Sequence, residues 1–129
     1  MIAEIIVDTH LILWMRTAPE QLTPGERDVI ANAGVRLLSV GSLWEIGILI
    51  GLGRIKNDPR LMEVPAGFRL LPVTSPHCKN FAALPRHHKD PFDRMLIAQA
   101  AVERVSLLTR DQAMLAYAGI AQIVRFPEA

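Results

Sequence analysis

The chain contains a single cysteine, Cys78. One thiol excludes an intrachain disulfide and a cysteine-rich zinc site, and it suits a reducing compartment. Long hydrophobic runs are missing too. The longest, IGILIGLG from Ile46 to Gly53, is about half of what a membrane helix needs. The opening MIAEIIVD carries an acid early and has no basic stretch before a long apolar one, so it does not read as a secretory leader. Neither sign of charge is in excess: 14 basic and 13 acidic residues give a formal net charge of +1. Bulk electrostatic binding to nucleic acid is therefore excluded, and any such contact has to come from local patches. Repeats, low-complexity segments and interdomain linkers are also absent. The expectation is a cytoplasmic protein without a membrane segment.

The chain does hold enough apolar material for one packed core. Its 129 residues are 50% hydrophobic, which fits a single domain over residues 1–129 and argues against disorder. EIIV (Glu4 to Val7) reads as a buried strand ending at Asp8, and LILWM as a helical turn after it. TPGE (Thr23 to Glu26) is a helix start, with Thr23 as cap, Pro24 at the first position and Glu26 closing a capping box. That helix should stop near Gly34. VRLLSV (Val35 to Val40) is a second strand. SLWE (Ser42 to Glu45) is a second capping-box pattern and opens a helix to about Gly51 or Gly53. Residues 54–69 read as loop or short irregular helix.

RLLPV (Arg69 to Val73) is a third strand, which Pro72 places at a sheet edge or a strand end. TSPHCKNFAAL carries cap and proline signals for a helix, and PRHHK is a loop. DPFDRMLIAQAAVER is the strongest helix, with Asp90 as cap and Pro91 at its first position. SLLT (Ser106 to Thr109), a short helix in RDQAMLAYAG stopped by Gly119, and a final strand in QIVRF complete the chain. Strands alternate with helices throughout. The expected fold is α/β, a three-layer sandwich around a mostly parallel sheet of about five strands.

Ligand sites in open parallel sheets lie beyond the carboxyl ends of the strands. Asp8 follows the first strand, Glu45 lies in the helix after the second, and Asp111 stands just past the fourth. These share one sheet end by topology. Asp93 joins them only if the loop before its helix reaches that end. Carboxylates sharing a cleft repel, so they either raise a pKa or recruit a cation. Lys89 is the only lysine beside any of them. Oxygen-only ligands suit Mg²⁺ or Mn²⁺ rather than zinc. Such an ion activates water for in-line displacement at phosphorus, which points to a phosphodiester substrate. Arg94 and Arg110 adjoin acids and could clamp phosphate, and Arg86, His87, His88 and Lys89 form a basic loop.

Each acid also has a structural explanation. Glu45 closes Ser42's capping box, Asp93 suits a helix N-terminus, Asp111 could be a plain cap and Asp8 a turn residue. Asp90 reads as an N-cap. His10, His77, His87 and His88 lack paired metal-ligand spacing and read as surface or partly buried residues. LILWM and LWEIGIL read as core-facing, with some residues left for a partner surface.

VDTHLILW, SLWEIGIL followed by GRI, HHKDPFDRMLIAQA and LLTRDQAMLAY together resemble the PIN-domain family, and most of all the VapC-type toxins of bacterial toxin–antitoxin pairs. The resemblance runs from Val7 to about Tyr117. It implies a Mg²⁺- or Mn²⁺-dependent ribonuclease with an acidic, metal-binding site of Asp8, Glu45, Asp93 and Asp111. It further implies that Thr109 supports the acids by hydrogen bonding, and Ser42 is expected beside them. RNA-binding candidates are Arg94, Arg110, Lys89 and Arg86. The implied partners are an RNA substrate, a second copy of the chain, and a cognate antitoxin whose C-terminal segment threads the groove. One departure stands out: relatives of this kind often carry a lysine four residues after the helix glutamate, where this chain has Leu49.

Two other functions compete. An aspartyl-phosphate phosphatase or phosphotransferase would use Asp8 as nucleophile, but it usually needs a second acid two residues on, where His10 stands, and a late lysine. A non-catalytic binding module would use the acids only as caps.

Overall fold

In EIIV, successive side chains point to opposite faces, and Ile5, Ile6 and Val7 are all fully buried. Only a strand covered on both faces produces that pattern. The structure, a computed structural model, describes residues 2–127. Its strands are β1 (Glu4–Val7), β2 (Val35–Ser39), β3 (Phe68–Leu71), β4 (Ser106–Leu108) and β5 (Gln122–Val124). Its α-helices are α1 (Thr9–Thr17), α2 (Pro24–Asn32), α3 (Val40–Gly51), α4 (Ser75–Ala83) and α5 (Pro91–Glu103). Short 3₁₀ turns cover Pro19–Gln21, Pro59–Met62 and Gln112–Tyr117.

The five strands pair in the order β3-β2-β1-β4-β5. Every pairing is parallel, so the sheet is more uniform than the expected mostly parallel one. Ile5, Val7, Leu38 and Leu108 pack on one face with Leu11 and Ile12 of α1, Ile30 of α2 and Ile46 of α3. Ile6, Leu37 and Leu107 pack on the other with Leu96, Ile97 and Ala100 of α5 and with Met114 and Tyr117. The expected α/β three-layer sandwich is the fold observed.

Strand ends differ from the sequence reading for local reasons. β3 stops at Leu71, paired with Ser39, because Pro72 has no amide hydrogen to continue the ladder. It is an edge strand, as its proline suggested. β5 stops at Val124, opposite the last residue of β4. β2 stops at Ser39 because that residue turns to cap α3.

From β1 the chain crosses to β2 on one side, and from β4 it crosses to β5 on the other. The two adjacent strands therefore send their connections apart, and a crevice opens beyond their carboxyl ends.

α2 is held against that end of the sheet by an ion pair. Thr23 and Glu26 form the expected capping box, with Thr23 N donating to Glu26 Oε1 at 2.9 Å and Glu26 N donating to Thr23 Oγ1 at 3.2 Å. The Glu26 carboxylate is also gripped by Arg110, whose Nε lies 3.0 Å from Oε2, and whose Nη2 donates to the Gln21 carbonyl at 2.7 Å. The Glu26 side chain is fully buried and that of Arg110 only 29% exposed. Removing one partner of such a pair leaves an uncompensated buried charge. Arg110→Met should lower stability in chemical denaturation by about 3 kcal/mol, and adding Glu26→Gln should recover much of that loss.

Candidate active site

Asp8 is the first residue past β1, and its amide donates to the Leu108 carbonyl at 2.9 Å. It precedes α1 as N-cap, yet its carboxylate caps no amide. Instead Oδ2 accepts the Thr109 hydroxyl at 2.6 Å. Thr109 is fully buried just past β4, so this bond joins the two diverging connections at the crevice. Burial pushes the Asp8 carboxyl above its usual range, and Asp111 adds to the rise, while the Thr109 bond and His10 oppose it.

Glu45 arrives on α3, but not as the sequence suggested. Ser39, not Ser42, is the N-cap, and its hydroxyl accepts from Gly41 N at 3.0 Å. Ser39 has the extended backbone that a cap requires, with φ −70° and ψ 139°. The capping-box reading of Ser42 is therefore corrected. Ser42 is buried inside the helix and accepts the Thr9 hydroxyl at 2.8 Å. Glu45 falls in the second turn, where no capping role accounts for it. Its Oε1 is buried without a hydrogen-bond partner. Burial raises its pKa, with the charges of Asp90 and Asp8 adding to the effect, while the Thr9 hydroxyl and His10 oppose it.

Asp93 stands in the first turn of α5. Asp90 caps that helix as expected, accepting from Phe92 N at 2.8 Å and Asp93 N at 3.4 Å. The loop before α5 does reach the crevice. Burial, followed by repulsion from Asp8, Asp90, Glu45 and Asp111, pushes the Asp93 carboxyl up to about 8. The starts of α3 and α5 are fixed relative to one another, because the Ser39 hydroxyl donates to Gln99 Oε1 of α5 at 2.6 Å.

Asp111 caps the Gln112–Tyr117 turn, accepting from Ala113 N at 2.9 Å. Burial acts to raise its pKa, but the hydrogen bonds from His88 and the Ala113 amide, with the charge of Arg125, together outweigh it and hold the carboxyl below its ordinary value. Asp8, Glu45, Asp90, Asp93 and Asp111 all line one cleft of about 490 Å³, together with His10, Trp14, His88 and Arg110.

His88, like His10, lines the cleft although the sequence reading passed it over. Its Nε2 lies 3.0 Å from Asp111 Oδ2 and 3.2 Å from Asp93 Oδ2. Its position two residues before Asp90 was the available signal. The basic candidates divide. Arg110 lines the cleft but is committed to Glu26, with its guanidinium carbon 4.5 Å from the centre of the Trp14 ring. Arg94 turns away from the acids and lies over Phe81 of α4 at 4.5 Å, contacting the Phe81 and Leu84 carbonyls. Arg86 and Lys89 are exposed on the loop beside the cleft.

A family model described as "PIN domain" matches residues 5–120. The chain belongs to the PIN domain family. Solved structures with this PIN fold include a member of the VapBC family of toxin–antitoxin systems, VapBC-5 from Mycobacterium tuberculosis. It is 20% identical with a TM-score of 0.67, over 96% of this chain and 98% of that one. VapBC2 from Rickettsia felis, bound to a DNA fragment from its promoter, is 11% identical with a TM-score of 0.68, over 95% and 98%. FitAcB from Neisseria gonorrhoeae is 19% identical with a TM-score of 0.61, over 93% and 96%. A comparison with curated proteins gives no match.

The acids of this PIN domain suit a hard divalent cation. The donors are carboxylate oxygens, and among the described residues Glu45 Oε1 is buried without a partner and no lysine lines the cleft to neutralise the charge. A ring nitrogen of His88 and a carboxylate oxygen from each of Asp93 and Asp111 lie within 4.8 Å of one another.

The raised Asp93 carboxyl sets a sign for stability. A folded-state pKa of about 8 against the unfolded 3.9 or so means that the folded chain binds more protons between those values. Stability of the metal-free PIN domain therefore falls as pH rises from about 4 to about 8. The melting temperature in EDTA should drop by several degrees across that window, and Mg²⁺ at the alkaline end should restore it. A melting temperature flat with pH would contradict the arrangement.

Proposed function

We propose that the chain is a metal-dependent endoribonuclease, the toxin of a toxin–antitoxin pair, which hydrolyses RNA phosphodiester bonds with an activated water. The observation that carries this reading is the meeting of Asp8, Glu45 and Asp93 in one cleft, with a buried glutamate oxygen left unpartnered. Capping explains Asp90 and Asp111 but not Asp8 or Glu45.

Asp8, Glu45 and Asp93 would hold the Mg²⁺ or Mn²⁺ ion, with Asp111 beside them. A bound ion of this kind supplies charge stabilisation at phosphorus and lowers the pKa of water. The chain's own contribution is rigidity. Thr109 fixes one oxygen of Asp8, Thr9 and Ser42 hold each other across α1 and α3, and Asp90 fixes the first turn of α5. Such positioning keeps ligands within the narrow tolerance that catalysis needs. Arg86 and Lys89, exposed on the rim, are the cations free to meet phosphate.

The resemblance to VapBC and Fit structures supports an antitoxin partner. So does an exposed apolar stripe along α3. Trp44, Ile48 and Leu52, at helical spacing, are 67%, 39% and 63% exposed, in keeping with a face left for an antitoxin or a second copy. Among the described residues no helix is long and apolar enough to cross a membrane. The phosphatase alternative is weakened by the absence of a lysine among the residues lining the cleft.

Purified protein should cleave RNA with Mg²⁺ or Mn²⁺ and stop with EDTA. Asp93→Asn should reduce cleavage roughly a hundredfold or more while leaving the circular dichroism spectrum unchanged. Full cleavage by that variant, or by wild type in EDTA, would overturn the reading.

A further inference from the structure

We infer that His88 competes with the divalent ion for Asp93 and Asp111, and that Tyr117 holds it in place to do so. The inference rests on the metal-dependent reading above and adds a residue that sets how readily the site fills.

The hydrogen-bond pattern fixes the role of the ring. The Asp90 amide donates to His88 Nδ1 at 3.3 Å, so Nδ1 carries the lone pair and the proton sits on Nε2. That N–H donates to Asp111 Oδ2 at 3.0 Å, and Asp93 Oδ2 lies 3.2 Å from the same nitrogen. A protonated Nε2 cannot ligate a metal. It stands against two carboxylates that would otherwise repel. An ion held by Asp93 and Asp111 would have to displace it.

The ring is not free to wander. The Tyr117 side chain is fully buried in the core, and its hydroxyl gathers the loop before α5. Tyr117 Oη donates to the Pro85 carbonyl at 2.8 Å. It accepts from His87 N at 3.1 Å and from His88 N at 3.0 Å. The His87 ring packs against the Tyr117 ring with centroids 5.3 Å apart. One buried hydroxyl thus ties down the backbone at three points of the PRHH segment, Pro85, His87 and His88, and the His88 side chain is aimed from there. Tyr117 is a positioning residue, acting through His88.

The test is Mg²⁺ calorimetry at about pH 9, above the Asp93 carboxyl's value of about 8, so that protons do not compete for the acids. His88→Ala should bind Mg²⁺ roughly three- to tenfold more tightly than wild type, the weight of one charge-assisted hydrogen bond at a partly exposed site. Tyr117→Phe, which keeps the ring in the core, should shift affinity the same way by less. Weaker binding by His88→Ala would make the histidine a ligand and overturn the inference, and unchanged binding would overturn it equally. A wild type that takes up no Mg²⁺ would overturn the metal reading itself and this inference with it, so the two failures are distinct. Long-range ¹H–¹⁵N spectra of wild type give a readout independent of affinity. The His88 ring should be the Nε2-protonated tautomer without Mg²⁺, and its signals should move on saturation. Signals that stay fixed would overturn the competition.

Discussion

Repulsion among carboxylates crowded into one cleft is the constraint on which the rest of the arrangement depends. Asp8, Glu45, Asp90, Asp93 and Asp111 line a single depression, and the cost falls most visibly on Asp93, whose carboxyl is pushed up to about 8. Asp8 and Glu45 are raised as well. A protein gains nothing in stability from this. Like charges brought together without a counter-ion oppose folding, so the cluster makes physical sense as a place prepared for a cation. Local donors relieve the strain only partly: Thr109 at Asp8, the amides of α5 at Asp90, and His88 at Asp111. Glu45 Oε1 is left with none.

The fold answers that repulsion by fixing the backbone from which each acid springs. β1 and β4 are hydrogen-bonded neighbours, and Thr109 joins them again through Asp8 just where they diverge. Ser39 caps α3 and in the same stroke ties it to Gln99 of α5. Arg110 leaves the cleft's charge unneutralised because it is spent on Glu26, whose burial demands a partner of its own. That division of labour is why an arginine can border five acids without quenching them.

Much of this was legible in the residues. The β-branched runs, the Thr23 and Asp90 caps and the alternation of strands with helices led to the α/β sandwich, and topology alone placed Asp8, Glu45 and Asp111 at one sheet end. Other features were not legible, for physical reasons. Ser39 and Ser42 both offer a hydroxyl near a helix start, and SLWE satisfies the capping-box pattern. Only the end of the β2–β3 ladder decides that Ser39 turns first. The Arg110–Glu26 pair spans 84 positions and leaves no local signature. Arg94 and Arg110 both adjoin acids in sequence, yet packing carries one over Phe81 and the other onto Glu26. His88 was passed over because ligand spacing was sought between histidines, whereas its neighbours are the carboxylate of Asp93, five residues on, and that of Asp111 from beyond β4.

The central claim is that these acids are gathered to hold a divalent cation. The most direct measurement is anomalous diffraction from crystals of the protein grown or soaked with Mn²⁺. The account predicts a manganese peak among the carboxylates of Asp8, Glu45 and Asp93, with the Glu45 oxygen that now lacks a partner turned toward it. An empty cleft at saturating Mn²⁺, or manganese bound only at surface carboxylates elsewhere, would contradict it.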